Sequence, residues 1–149
     1  MRIAMNLATL ALMLLAGFMA YVRLAPTNPA DWHSDLGQRP TALAKPSPDA
    51  VTTLPNGAYT DLHLSPDQAQ TTLAKLDVLA LATPRTRRLA GSAASGRITW
   101  QTRSLIWGFP DYTTAQITAD GLTIFARQRF GSQDMGVNTA RLRDWLAKL

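Results

Sequence analysis

The sequence predicts an α+β protein in which an N-terminal transmembrane helix and a proline-rich linker precede a small antiparallel β-sheet packed by two helices. Three observations lead to this prediction: a long uncharged apolar run at the N-terminus, segments that alternate apolar and polar residues, and two amphipathic segments that begin with helix-capping residues. The predicted regions are an anchor over residues 1–23, a linker over 24–56 and a domain over 57–149 with the order β-α-β-β-β-β-α. A chain of 149 residues accommodates one such domain.

The N-terminal apolar run, residues 3–22, is uncharged over about 20 residues, the length that crosses about 30 Å of hydrocarbon as a helix. Arg2 and Arg23 bracket it. We expect an uncleaved anchor, because a cut after Ala20 would place the bulky Phe18 where a signal peptidase site requires a small residue; a cleaved signal peptide is the alternative. The short leader favours an orientation with the N-terminus inside and the domain outside.

The composition excludes several kinds of chemistry. The chain has no Cys, which excludes disulfides, thiolate nucleophiles and cysteine-ligated zinc. All ten acidic residues are Asp, which excludes paired-glutamate catalysis and helical di-metal carboxylate sites. The net charge of +5 is concentrated in the second half, since ten of the 15 Lys and Arg residues follow residue 84. Twelve of the 15 basic residues are Arg, a bias that suits binding of oxyanions, and a GC-rich genome gives the same bias.

The linker and the first two elements of the domain follow from local signals. Residues 24–56 hold six of the nine prolines and show neither helical nor strand periodicity, which predicts an extended tether. The segment "GAYTDLHLS" alternates as a strand and ends at Ser65, a natural N-cap that forms a capping box with Gln68. The helix that starts there is expected to stop before Pro84. Its inner stripe is predicted to be Ala69, Leu73, Leu76 and Ala80.

A second group of strands follows, at "RRLAGS" and after the turn "AASG". Alternation puts Ile98 and Trp100 on the inner face and Arg103 on the outer face. A bulge or bend is expected around Ser104, because residues 105–107 are three consecutive apolar residues.

The clearest hairpin joins "YTTAQIT" to "LTIFARQRF". With a two-residue Asp-Gly turn at 120–121, the register pairs Ile117 with Ile124 on the inner face. On the outer face it pairs Tyr112 with Arg129. The closing helix is then predicted to take Asn138 as its N-cap, with Val137 and Leu142 as a hydrophobic staple, and its apolar face comprises Leu142, Trp145, Leu146 and Leu149.

The closing stretch "RFGSQDMGVNTARL", preceded by "FPD" and a hairpin, resembles the ending of a family called domain of unknown function 1499. The segment "YVRLAP" with a Trp-His pair soon after it resembles the membrane-anchored bacterial branch of that family. The sequence departs from the family's pattern at Tyr112, Ser132 and Gln133. The resemblance implies a membrane-anchored bacterial protein, and it implies no mechanism. Together with the predicted anchor and its orientation, the expected location is the bacterial inner membrane, as a single-pass protein with a periplasmic C-terminal domain. The matching positions are Phe109, Asp111, Arg129, Gly131, Asp134, Gly136, Val137, Asn138 and Arg141.

The strongest candidate for a binding site is a set of outward-facing arginines on the predicted strands. Several guanidinium groups close together bind carboxylates or phosphates, and an anchor would hold such a set near a membrane. The candidate ligands are an anionic lipid, an envelope polymer or a protein partner, whereas nucleic acid is not expected. The alternative is a solvated sheet face. The arginines are Arg97, Arg103, Arg127 and Arg129.

Two further pairs complete the predicted site. Trp107 and Phe109 follow the break in alternation and could rim a pocket next to the arginines. Asp111 and Asp134 flank the hairpin and could lie at one end of the sheet as an acid and base or as ligands of a divalent ion. The structural alternative makes them turn residues, with Arg129 or Arg141 as the expected partner of Asp134.

Other chemistry finds no support in the sequence. His33 and His63 match no metal-ligand spacing, and the chain has no G-x-S-x-G element and no nucleotide-binding glycine motif. No catalytic residue, cofactor or metal is therefore predicted. The leading hypothesis is a membrane-anchored, non-enzymatic envelope module, and the alternative is a small enzyme or divalent-metal site that uses Asp111 and Asp134.

Overall fold

The computed structural model describes residues 1–37 and 50–149. The helices are α1 (Arg2–Leu24), α2 (Pro29–Trp32), α3 (Pro66–Ala82) and α4 (Val137–Leu146). The strands are β1 (Thr52–Leu54), β2 (Gly57–His63), β3 (Thr86–Ser92), β4 (Arg97–Arg103), β5 (Pro110–Thr118) and β6 (Gly121–Gln128).

The six strands form one antiparallel sheet in the order β1-β2-β6-β5-β4-β3. The predicted α+β class and the predicted order from β2 onwards are confirmed, and β1 is an additional edge strand. The strands β3 and β4 are joined by the predicted small-residue turn, in which Gly96 adopts a left-handed conformation with φ of 71°.

One face of the sheet and the inner sides of α3 and α4 form the apolar core. Trp100 of β4 and Trp145 of α4 meet edge to face with ring centroids 5.8 Å apart, and both are fully buried. The predicted capping box at Ser65 and Gln68 is present, and α3 ends before Pro84 as predicted. The inner stripe of α3 is buried as predicted, at Ala69, Leu73, Leu76 and Ala80.

The predicted register of the hairpin between β5 and β6 is wrong by two residues. Ile117 pairs with Leu122, and Tyr112 pairs with Arg127. The turn residues are 119–120, and Gly121 is already the first residue of β6 with φ of 132°. A shift of two residues preserves which face each side chain occupies, so the predicted inner and outer faces hold.

The predicted bulge or bend of the strand around Ser104 is also wrong. β4 ends at Arg103, and a loop closes over the following residues because Ser104 N–H donates to the carbonyl of Phe109 at 2.9 Å. The register shift of this part of the sheet lies instead in β3, between Arg88 and Ala90. The three consecutive apolar residues 105–107 therefore mark a loop outside the sheet.

The opposite face of the sheet is covered by residues 25–37, which we call the strap. Trp32 stacks on Tyr112 of β5 with ring centroids 3.9 Å apart and an interplanar angle of 20°. Leu36 is buried, and its N–H donates to Oε1 of Gln116 at 2.8 Å. The sheet is therefore covered on both faces, by α3 and α4 on the inner face and by the strap on the outer face.

The range predicted as a linker, residues 24–56, carries secondary structure in both of its described parts. α2 lies in the first part and β1 in the second, and Thr139 of α4 hydrogen-bonds to Thr53 of β1 at 3.1 Å. One helical turn and a three-residue strand are too short to show a period in the sequence. The middle of this range, residues 38–49, lies outside the described residues, and the division into three regions stays a prediction.

α1 is long and apolar enough to cross a membrane, and a signal sequence near an N-terminus has the same character. Most of its large apolar side chains are exposed, whereas Val22 near its end is 1% exposed because it packs against the domain. The end of α1 is thus attached to the sheet and does not stand apart from it.

Candidate functional site

The candidate site lies where the end of α1 meets the domain. Two loops come together there, residues 104–109 between β4 and β5 and residues 129–136 between β6 and α4, and we call them the junction loops. They enclose a cavity of about 660 Å³, which falls within the usual range for a small-ligand site. Its mainly apolar wall comprises Phe18, Trp107, Phe109, Phe130, Met135 and Val137.

Phe18 is the residue through which α1 joins the cavity wall. Its ring meets that of Phe109 edge to face at 6.1 Å, and one turn further on Tyr21 meets Phe130 at 6.4 Å. Phe18 lies six residues before the end of α1 at Leu24, which is about 9 Å along a helix. The cavity is therefore shared between the domain and the apolar helix.

Trp107 and Phe109, predicted to rim a pocket, both line this cavity. Their rings stack with centroids 6.3 Å apart, and Phe109 also contacts Phe130 at 5.9 Å. Gly108 between them adopts φ of 76°, and a Cβ there would lie 2.8 Å from the side chain of Arg23. Glycine at this position permits both the turn and the close approach of α1.

Asp111 is at the polar end of the cavity and forms a salt bridge with Arg141 of α4 at 2.9 Å. Burial raises the pKa of the Asp111 carboxyl above its ordinary value, Arg141 opposes this, and the charge of Asp134 adds to the increase. Arg141 also donates to Oδ1 of Asn138 at 2.6 Å. The carboxylate of Asp111 is thus part of a contact between the sheet and α4.

Asp134 caps α4 with its carboxylate. It accepts hydrogen bonds from the N–H groups of Gly136 at 2.8 Å and Asn138 at 3.1 Å, and it is 7% exposed. The prediction that Asn138 is the N-cap is therefore wrong by two residues, since Gly136 occupies that position with φ of 78°. The predicted partner, Arg129 or Arg141, is also wrong: the free N–H groups of a helix start attract a carboxylate, and Arg141 pairs with Asp111 instead.

The four outward-facing arginines predicted as a binding site mostly contact other residues of the protein. Arg127 lies between the rings of Trp32 and Phe125, with its guanidinium carbon 5.2 and 5.0 Å from their centroids. It donates to the carbonyl of Trp32 at 2.7 Å, and its Nη1 is buried with no hydrogen-bond partner among the described residues. Burial lowers the pKa of Arg127 to about 10, so the group remains charged at neutral pH. It holds the strap on the sheet through cation–π contacts and a charged hydrogen bond.

Arg103 binds the end of α1, and Arg129 binds the start of the strap. Arg103 donates to the last carbonyls of α1, Val22 at 3.4 Å and Arg23 at 3.3 Å, which no helical N–H can reach. Arg129 donates to the carbonyl of Pro26 at 3.0 Å. A cation at the C-terminal end of a helix also interacts favourably with the helix dipole.

Arg97 lies apart from the other three, at the far end of β4. It donates from Nε to Nε2 of His33 at 3.2 Å and lies 3.9 Å from the carboxylate of Asp35. Burial, together with the charge of Arg97, lowers the pKa of His33. A smaller polar cavity of about 280 Å³ lies there, between the strap and the turn that contains Gly96.

The structure thus brings together Trp107, Phe109, Asp111 and Asp134 at one cavity, with Arg103 and Arg129 beside it. Arg97 of β4 and Arg127 of β6 contact the strap away from this cavity. The sequence reasoning missed several lining residues because Phe18 was assigned to the bilayer and Phe130 to a strand. One signal in the sequence could have indicated the cavity: the apolar residues Met135 and Val137 lie in a stretch rich in turn residues, where polar side chains are more usual. Among the described residues, no group of three or more His, Asp, Cys or Glu side chains is placed to hold a metal ion.

The fold and the cavity define a small α+β protein with an apolar helix joined to its sheet. The chain belongs to the family DUF1499, described as "Protein of unknown function", whose model matches residues 26–149. The matched range includes the strap from Pro26, the sheet, both junction loops and α4. No curated protein matches the chain, and no solved structure matches it.

Proposed function

We propose that this protein is a membrane-anchored, non-enzymatic module of the bacterial cell envelope that binds a membrane lipid, with an acyl chain in the cavity between α1 and the junction loops. The observation that carries the proposal is the shared wall: Phe18 of α1 and the aromatic rings of Phe109 and Phe130 line one apolar space. An apolar cavity continuous with a membrane-spanning helix is accessible to lipid chains without passage through water.

The anchor in this proposal is α1 itself, retained after synthesis and crossing the inner membrane once with the domain in the periplasm. The contacts of Tyr21 with Phe130 and of Arg103 with the last carbonyls of α1 support retention, since a signal peptide that is removed has no need to pack against the mature domain. The buried side chain of Val22 supports it as well.

The arginines have a different part in this proposal from the one expected from the sequence. Arg127 fixes the strap, and Arg103 fixes the end of α1, so the cavity is held next to the end of the proposed anchor. Arg129 lies over the ring of Phe130 at 5.2 Å, next to the cavity, where its charge favours an anionic headgroup over a neutral one.

The test is native mass spectrometry of the full chain purified in a mild detergent. The parent protein should retain phospholipid. Val137→Trp should lose it, because the larger side chain fills part of the cavity. The matched control is Val78→Trp on α3, because Val78 is similarly exposed, at 69% against 53% for Val137, and does not line the cavity. A parent protein without bound phospholipid, or equal retention by Val137→Trp and the parent, would refute the proposal.

A further inference from the structure

The end of the domain next to α1 exposes apolar side chains that no described residue covers. Leu105 is 71% exposed, Ile106 67% and Met135 94%, and all three are in the junction loops. Soluble surfaces seldom collect large apolar side chains at one end of a domain, and such a set marks an interaction surface. The loops are held next to α1, because Arg23 donates to the carbonyl of Ile106 at 2.8 Å.

Five guanidinium groups lie at the same end of the domain, and we call them the arginine collar. Three are exposed, and two are half-buried beside the end of α1. The strand register sets residue 87 opposite residue 101, so the start of β3 lies at the same end of the sheet as Arg103. The members of the collar are Arg23, Arg85, Arg87, Arg103 and Arg129.

The arginines of the collar have no carboxylate partner among the described residues. Arg85 donates to the carbonyl of Arg103 at 3.1 Å and Arg87 to the side chain of Gln101 at 2.7 Å, both neutral acceptors. Among residues 1–37 and 50–149, no Asp forms a salt bridge with any of the five. Burial is the main cause that lowers the pKa of Arg103, and the like charges of other collar members add to it. A concentration of unpaired cations at one surface attracts an anionic partner.

We infer that the junction loops insert Leu105, Ile106 and Met135 into the outer part of an anionic bilayer leaflet while the arginine collar binds the phosphates of the surrounding headgroups. This surface adjoins the cavity of the proposed function, whose wall includes Met135, and the inference rests on the membrane anchor of that proposal. The position of the loops next to α1 identifies the membrane as their partner. Phe18 of the apolar helix contacts Phe109 of the first junction loop, so the lipids that surround α1 also reach the loops. Apolar residues flanked by Arg are the composition that binds anionic lipid surfaces.

The absence of Cys from the chain allows a direct test with single cysteines. The full chain is reconstituted in vesicles of phosphatidylglycerol and phosphatidylcholine, with the environment-sensitive dye NBD attached at Ile106→Cys. We expect blue-shifted emission that is quenched by lipids with a nitroxide on the acyl chain. The matched control is Val78→Cys, since Val78 on α3 is 69% exposed, against 67% for Ile106. Its dye should emit as in water and should escape quenching.

The charge requirement is tested with the same probe at Ile106. Reversing Arg85 and Arg87 to Glu should reduce quenching in vesicles that contain phosphatidylglycerol and should leave it unchanged in phosphatidylcholine alone. Reversing Lys75 and Arg143, which lie on α3 and α4 outside the collar, makes the same change of net charge and should have no effect.

Two results would overturn the inference. A dye at Ile106 that emits as in water excludes insertion of the loop. Blue-shifted emission without quenching by any nitroxide lipid places the loop against protein, such as a second copy of the chain. Neither result bears on the retention of lipid by the cavity, which Val137→Trp tests separately.

Discussion

Replacing Asp134 tests whether its carboxylate is a helix cap or a ligand for something outside the protein. In Asp134→Ala, the N–H groups of Gly136 and Asn138 lose their acceptor. Loss of an N-cap side chain costs about 0.5–2 kcal/mol, and hydrogen bonds to a charged acceptor contribute about 1.5–3 kcal/mol. Because the site is 7% exposed, water replaces the carboxylate poorly, and we expect a loss of about 2–3 kcal/mol in the free energy of unfolding.

Asp134→Asn should cost less, about 1–2 kcal/mol, because the amide keeps one oxygen for one of the two N–H groups and places an NH₂ group against the other. The assay is urea unfolding of the full chain in detergent micelles, followed by tryptophan fluorescence. With a slope of about 1–3 kcal/mol per molar urea, the midpoint for Asp134→Ala should fall by about 1 M. The control is Asp144→Asn, whose exposed pair with Lys148 should contribute about 0.5 kcal/mol or less.

The capping explanation fails if Asp134→Asn and Asp134→Ala unfold at the midpoint of the parent, or if both fall no further than Asp144→Asn. Unchanged stability together with lost binding of phospholipid or of a divalent ion would show that the carboxylate of Asp134 serves a ligand. Reduced stability with retained lipid in native mass spectrometry is the result that we expect.

Two further predictions concern the strap and the sheet. Trp32→Ala removes the stack on Tyr112 and the cation–π contact with Arg127, so it should cost about 1–3 kcal/mol and speed proteolysis within residues 25–37, whereas Asp31→Ala on the same short helix should do neither. Burial raises the pKa of Asp111 above its ordinary value of 3.8. The folded protein therefore holds this proton more tightly than the unfolded chain does. The resulting contribution to the free energy of unfolding is fully present below pH 3.8 and is lost as the pH rises through the raised pKa. Asp111→Asn should flatten this fall in the free energy of unfolding, measured by urea titration at several pH values; an unchanged slope would contradict it.

Features that depend on neighbouring residues were predicted well from the sequence. The capping box at Ser65 and the end of the helix before Pro84 each depend on residues a few positions apart, and both are present in α3. The faces of the hairpin were right although its register was not, because a shift of two residues keeps the alternation. The cap of α4 was misassigned because Asn138 has the favoured residue type, whereas the helix begins earlier and the carboxylate of Asp134 accepts from the N–H groups of Gly136 and Asn138.

The candidate site was predicted in part. The residues that were predicted lie close to one another along the chain or on paired strands, and Phe18, which was missed, lies far from them in sequence. Trp107, Phe109, Asp111 and Asp134 lie in or next to the two loops at one end of a hairpin, so the strand order alone places them near each other. The joining of Phe18 to the same cavity has no local signal, because an apolar residue in an apolar helix looks like any other residue that faces lipid.

The sequence by itself determined the apolar N-terminal helix, the α+β class, the inner stripe of α3 and the outward position of the arginines, since periodicity and capping act over a few residues. Only the tertiary structure decided what those arginines meet. Arg127 binds the carbonyl of Trp32 across 95 positions of the chain, and Arg103 binds that of Val22 across 81. Every residue has a backbone carbonyl, so the residue types in the sequence do not indicate which carbonyl a guanidinium will bind. Only the packing of the folded chain selects it.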